Sequence, residues 1–267
     1  MSALMGIVNV TPDSFSDGGQ FDSARLGIEH ALTLLDQGAD IIDVGGESTR
    51  PGAQAVSAEV EVARVLPVIR GVLAARPDAL ISVDTSKATV AAAAIEAGAL
   101  IVNDVCALAD PELGPLCAST GVDVIVMHMR GTPRTMQGDT HYDDLVGEVE
   151  AFLLARAEHA QRCGISKERI TLDPGIGFGK SLADNPRLIA AVPRLRSHGY
   201  RVLIGASRKR FVGELTGVSS AADRVFGSVG AALAAAQHGA DVVRVHDVLA
   251  TRQALTVFDA SQPRPAL

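Results

Sequence analysis

Tryptophan is absent from this 267-residue chain, and aromatic residues make up only 3% of it. The core must therefore be packed from aliphatic side chains, which suits an Ala/Val/Ile/Leu-rich α/β fold. Cysteine is scarce as well. Cys106, Cys117 and Cys163 show no C-x-x-C spacing and cannot all pair, so a reduced, cytoplasmic setting is expected. No apolar run approaches the roughly 18 residues of a membrane span, and the stretch Met1–Gly6 lacks the charged-then-apolar pattern of a signal peptide. A basic excess is missing too. Acidic residues outnumber basic ones 31 to 24, for a net charge of −7, which argues against a general nucleic-acid binder. Any bound anion needs a local cluster of positive charge. The seven histidines form neither H-x-x-x-H nor H-E-x-x-H, so no zinc site is expected. There is no G-x-S-x-G and no cysteine with an evident base partner, so covalent catalysis has little support.

What is present is a repeat. Eight short apolar runs, Leu4–Val8, Ile41–Val44, Leu80–Val83, Leu100–Val102, Val122–Met127, Ile170–Leu172, Val202–Ile204 and Val242–Val245, read as strands buried on both faces, as in a parallel sheet. Six are introduced by a glycine (Gly38, Gly98, Gly121, Gly164, Gly199 and Gly239). Each glycine follows a segment of helical periodicity such as Ala24–Gln37, Ser86–Ala97 or Ala222–His238. Eight strands alternating with helices in a chain of this length predict a single (β/α)8 TIM barrel spanning residues 1–267. A doubly wound open sheet is disfavoured because no G-x-G-x-x-G follows the first strand. The tail Ser261–Leu267 is expected to fray.

A barrel gathers its chemistry at the C-terminal ends of its strands. The residues there are Asn9, Gly45-Gly46-Glu47, Asp84, Asn103-Asp104, His128, Asp173, Ser207-Arg208-Lys209, and Arg244 with His246. Asp84 has an alternative role as a cap of the following helix. The loop at 11–19, with Phe15 and Asp17, and the loop at 45–52, with Thr49, Arg50 and Pro51, are long or glycine-rich. So is the loop at 173–180, with Phe178, and such loops can close over a substrate. Arg208, Lys209, Arg210, Arg244 and His246 are expected to form an anion site after strands seven and eight. Asp84, Asn103 and Asp173 can grip a heterocycle rich in N–H donors, or stabilise a developing cation. A Mg2+ held by Asn9 and substrate phosphates fits the way that ion usually binds.

These residues carry a resemblance. The segment 5–19 (MGIVNVTPDSFSDGG) and the segment 43–52 (DVGGESTRPG) are similar to signatures of the dihydropteroate synthase family. So are Ser82–Thr85, Val102–Val105, Met127–Met129, Asp173–Lys180, Gly205–Lys209 and Arg244–Asp247. The resemblance implies a homodimeric folate-synthesis transferase. It would condense 6-hydroxymethyl-7,8-dihydropterin diphosphate with p-aminobenzoate, assisted by Mg2+. It implies that Asp84, Asn103, Asp173 and Lys209 hold the pterin, with Met127 beside it, and that Asp84, Asp173 and Lys209 are catalytic. Asn9, Arg244 and His246 would take the diphosphate, with Asn9 near the metal. Thr49, Pro51, Phe178 and Lys209 would shape the p-aminobenzoate and sulfonamide pocket. Arg50, Phe15 and Asp17 would lie on mobile loops. Two rivals share the barrel and the carboxylate–Asn grip: a pterin-binding methyltransferase and a catalytically silent paralogue. Neither nucleic acid nor membrane is an expected partner.

Overall fold

The computed structural model describes residues 2–11, 20–48, 52, 55–132, 134–136 and 138–262. Eight parallel strands close into a barrel in sequence order: β1 (Ala3–Asn9), β2 (Ile41–Gly45), β3 (Ile81–Asp84), β4 (Ile101–Asp104), β5 (Asp123–Met127), β6 (Ile170–Asp173), β7 (Arg201–Ile204) and β8 (Val242–Val245). The helices between and after them are α1 (Gln20–Asp36), α2 (Ala58–Ala75), α3 (Ala88–Glu96), α4 (Leu113–Thr120), α5 (Leu145–Arg162), α6 (Asp184–Ala190), α7 (Val192–Arg196), α8 (Arg210–Thr216), α9 (Val225–Gln237) and α10 (Val248–Ala260). The expected fold is present, with two refinements. The crossover after β6 carries two short helices. The one after β7 adds α8 ahead of α9, whose buried Ser228, Ala232 and Ala235 pack the small-residue face inward.

All six glycines that precede strands have positive φ, between +68° at Gly121 and +110° at Gly98. There a helix ends in the left-handed region that a side chain would strain. At Gly121 the amide donates to Cys117 O and closes α4.

Strand alternation sorts the apolar residues into two cores. Leu4, Val8, Ile42, Val44, Ile81, Val83, Val102, Val124, Val126, Leu172, Val202 and Val243 face the helices. Met5, Ile41, Ile101, Ile125, Leu203 and Val242 form a separate cluster inside the barrel. This inner plug fills the barrel toward the N-terminal ends of the strands. Burying such a side chain contributes about 1.5–3 kcal/mol. Continuing the same parity toward the C-terminal ends brings Asp43, Asp84, Asn103, Met127, Asp173 and Arg244 onto the inner face. Among the described residues no helix is long and apolar enough to cross a membrane.

Candidate active site

Asp84, Asn103 and Asp173 are not loop residues. They belong to the ends of β3, β4 and β6, and each is less than a tenth exposed. The strands run past their apolar stretches because neighbouring strands pair there. Gly45 is in register with Asp84, Asp84 with Asn103, and Met127 with Asp173. A Cβ at position 45 would stand 3.4 Å from the Asp84 Cβ, in ordinary contact. Asp84 does not cap α3. The N-cap position is Lys87, and the Ala88 amide donates to Asp110 Oδ2 at 2.9 Å.

Beneath this ring lies a buried ion network. The Arg244 guanidinium donates from Nε to Asp43 Oδ2 at 2.6 Å and from a terminal nitrogen to Asp84 Oδ2 at 2.8 Å. The same Asp43 oxygen accepts from Asn103 Nδ2 at 3.0 Å. Asp43 is fully buried, and among the described residues its other oxygen has no hydrogen-bond partner, nor has Ser82 Oγ on the adjacent strand. An acceptor-only carboxylate takes the amide nitrogen of Asn103, so the carboxamide is left to offer its oxygen elsewhere. Burial, opposed by Arg244, pushes the Asp84 carboxyl up to about 7. Asp173 is also raised by burial, against the pull of Lys209. Its Oδ1 accepts from the Gly175 amide at 2.7 Å.

Lys209, half-buried after β7, threads between two parts of the 173–180 loop. Its Nζ donates to Ile176 O and lies 4.5 Å from the Phe178 ring centre, a cation–π distance. A Cβ at Gly177 would come within 3.0 Å of the lysine chain. Burial lowers its ammonium to about 8, with Asp173 pulling the other way. Met127 is buried beside Asp173, and Phe178 is half-buried.

The expected positive cluster is dispersed. Arg208 has a left-handed backbone, φ +59°, and forms a fork onto Asp247 with bonds of 3.0 and 2.5 Å. Arg210 pairs with Glu214 on the exposed side of α8, and Arg244 turns into the barrel. His246 Nδ1 lies 3.1 Å from Ser207 Oγ. A basic run contiguous in sequence thus points in several directions once the chain turns at Arg208. Asn9 ends β1, half-buried and paired in register with Gly45. Among the described residues no group of three His, Cys, Asp or Glu could hold a metal. Phe15, Asp17, Thr49, Arg50 and Pro51 lie outside the described residues. The loop at 45–48 is anchored from below: Lys87 bridges Glu47 and the buried Glu61, and Arg64 donates to Gly46 O at 2.7 Å.

Acidic and amide groups thus surround the mouth of a plugged barrel. Residues 5–246 match the family model described as pterin binding enzyme, so the class is that of the pterin-binding barrels. The chain is 45% identical to the dihydropteroate synthase of Escherichia coli K12 over 258 residues, covering 97% of this chain and 91% of that one. The Xanthomonas albilineans dihydropteroate synthase with 4-aminobenzoic acid superposes with a TM-score of 0.93 at 51% identity, covering 99% of this chain and 94% of that one. The same organism's enzyme in complex with 7,8-dihydropteroate gives a TM-score of 0.90 at 48% identity, with 99% and 95% covered. The chain belongs to the dihydropteroate synthase family.

Proposed function

We infer that this chain joins 6-hydroxymethyl-7,8-dihydropterin diphosphate to p-aminobenzoate, giving 7,8-dihydropteroate and diphosphate for folate synthesis. The observation that carries the reading is the convergence of Asp84, Asn103, Asp173 and Lys209 over a plugged barrel. Asp84, Asn103 and Asp173 offer oxygen acceptors to the N–H edges of the pterin, and Lys209 offers a donor. Met127 gives the ring an apolar neighbour. Phe178 and the Lys209 stem, with Thr49 and Pro51, shape the p-aminobenzoate pocket, where sulfonamides compete. Arg50, Phe15 and Asp17 belong to the same proposed set of site residues.

The chemistry needs no protein nucleophile. The C–O bond to diphosphate breaks with its electron pair leaving on oxygen. The resulting cation is spread over the dihydropterin and stabilised by the carboxylates of Asp84 and Asp173. The arylamine nitrogen then forms the C–N bond and gives up a proton. A dissociative path predicts that a ring substituent that destabilises the cation slows the chemical step sharply; an unchanged rate would exclude it.

Mg2+ fits as an ion that arrives with the diphosphate. A single amide oxygen from Asn9 plus phosphate oxygens matches its preference for few protein ligands, and its charge would ease departure of the leaving group. His246 is the protein group at the end of β8 suited to the phosphates. Arg244, the other group expected at the diphosphate, is paired with Asp43 and Asp84. The three unpaired thiols fit a cytoplasmic setting. Phe226, Leu215 and Val257, on α9, α8 and α10, are exposed apolar side chains available to a second copy of the chain. The test is diphosphate release with and without p-aminobenzoate in Mg2+. Release that requires p-aminobenzoate and falls with a sulfonamide supports the synthase. Tight pterin binding with no release under either condition points instead to a methyltransferase or a silent paralogue.

A further inference from the structure

Lys180 is only 4% exposed, yet its hydrogen-bond partners among the described residues are all neutral. Its Nζ lies 2.8 Å from His128 Nδ1, 2.9 Å from Phe178 O, 3.1 Å from Gly175 O and 3.3 Å from His128 O. A buried ammonium is costly, so an arrangement that keeps one must gain something from it. In its charged form Lys180 only donates, so Nδ1 then accepts and the imidazole carries its proton on Nε2. Burial, reinforced by Lys180, pushes the His128 ring down to about 3, which keeps it neutral. The ring is fixed by Phe152, edge-on at 4.9 Å, and by Tyr142 at 6.1 Å.

The segment held this way is the 173–180 loop, and Lys180 is its last residue. Gly175, Gly177 and Gly179 have φ of +69°, +83° and +63°, so the loop's shape depends on left-handed turns. Several of its peptide groups are tied. The Gly175 amide meets Asp173, and the Gly177 amide meets Asn185 Oδ1 at 2.6 Å. Ile176 O meets Lys209, and the Tyr142 hydroxyl donates to Gly179 O at 2.8 Å. Lys180 takes the two carbonyls on either side of the Ile176–Gly177 turn, those of Gly175 and Phe178. Fixing a residue's backbone costs conformational entropy, so a loop ordered before its ligand arrives binds that ligand more tightly.

We propose that Lys180 is a positioning residue for the p-aminobenzoate side of the site: it gathers Gly175 O, Phe178 O and the His128 ring onto one ammonium and so holds the Phe178 ring against Lys209. The inference rests on the reading that Phe178 shapes the p-aminobenzoate pocket. The experiment is steady-state kinetics in both substrates for Lys180→Met, His128→Leu, His128→Asn and Phe178→Ala, with unfolding midpoints measured in parallel. Lys180→Met is expected to raise the KM for p-aminobenzoate about tenfold while the KM for the dihydropterin diphosphate stays within about twofold. His128→Leu follows it, and His128→Asn, whose Oδ1 can stand in for Nδ1, restores most of the affinity. A folded Lys180→Met enzyme whose two KM values are unchanged, or rise together, overturns the proposal. If Lys180→Met does not fold, equal p-aminobenzoate KM values for His128→Leu and His128→Asn overturn it. If Phe178→Ala leaves the p-aminobenzoate KM unchanged, the reading of the pocket fails first. If Phe178→Ala raises it and Lys180→Met does not, the positioning role alone fails.

Discussion

Arg244 and Asp43, 201 residues apart in sequence, meet at 2.6 Å inside the barrel, and the same guanidinium reaches Asp84. The arginine thus links the floor of the site to the carboxylate proposed to hold the pterin. Asp43 also fixes the Asn103 amide, so one buried carboxylate orients two binding side chains. Asp43→Ala is expected to leave Arg244 short of one partner, to free the Asn103 carboxamide and to lower kcat/KM for the dihydropterin diphosphate by about 10–100-fold. Asp43→Asn keeps an acceptor and should lose less. Equal kinetics for wild type and Asp43→Ala would remove Asp43 from the machinery.

Asp84 trades stability for function. Its folded-state pKa, about 7, lies above the ordinary 3.8, so the native chain holds a proton that the unfolded chain has released between these values. Stability is therefore lost as pH rises from about 4 to 7, and the penalty is constant above that. Asp84→Asn should melt higher than wild type at pH 8 and equally near pH 4, while turnover falls by a factor of at least about 100. Thermal melts at the two pH values check the sign.

Lys180 and His128 impose the opposite slope. The lysine is lowered from 10.5 to about 7 by burial, and the groups around it are Asp173, Lys209, Asp184 and Arg130 together with His128 itself. Between about 7 and 10.5 the unfolded chain binds the extra proton, so stability rises with pH across that window. His128, lowered from 6.5 to about 3, adds a loss of stability as pH falls below 6.5. Denaturant titrations should show Lys180→Met flattening the alkaline rise and His128→Asn flattening the acid fall. An unaltered profile in both variants would show that neither group titrates in these windows.

Asn9 is the one protein ligand proposed for Mg2+. Chelation of the metal should abolish diphosphate release, and added Mg2+ should restore it. Asn9→Ala is expected to raise the Mg2+ concentration for half-maximal rate about tenfold and to leave p-aminobenzoate affinity alone. A Mg2+ curve that does not move would take Asn9 out of the metal's surroundings.

The barrel was legible in the sequence because apolar runs and strand-leading glycines recur, and both are local signals. The places of Asp84, Asn103 and Asp173 at the strand ends were legible for the same reason, since each stands where an apolar run stops. Asp43 was hidden because it sits within an apolar run. A charge at an inward-facing position of Ile41–Gly45 was the available signal, and its meaning depends on Arg244 across the barrel. The basic run at 208–210 misled in the other direction. Contiguity suggested a cluster, but the left-handed turn at Arg208 and the carboxylates of Asp247 and Glu214 lie beyond what a one-dimensional reading can weigh. Lys180 stood in the sequence only as the last residue of the 173–180 loop, with no role marked, because its partners are mostly backbone carbonyls whose positions only folding supplies.

The apolar plug of Met5, Ile41, Ile101, Ile125, Leu203 and Val242 makes the barrel a tube with one open end. Traffic through it becomes a stack. In the proposed site, a ring seated against Asp84 and Asn103 would enter before anything settles against Phe178 and would depart afterwards. A p-aminobenzoate analogue bound first would cork the tube, so the order of addition, as much as affinity, sets how fast an occupied site can clear.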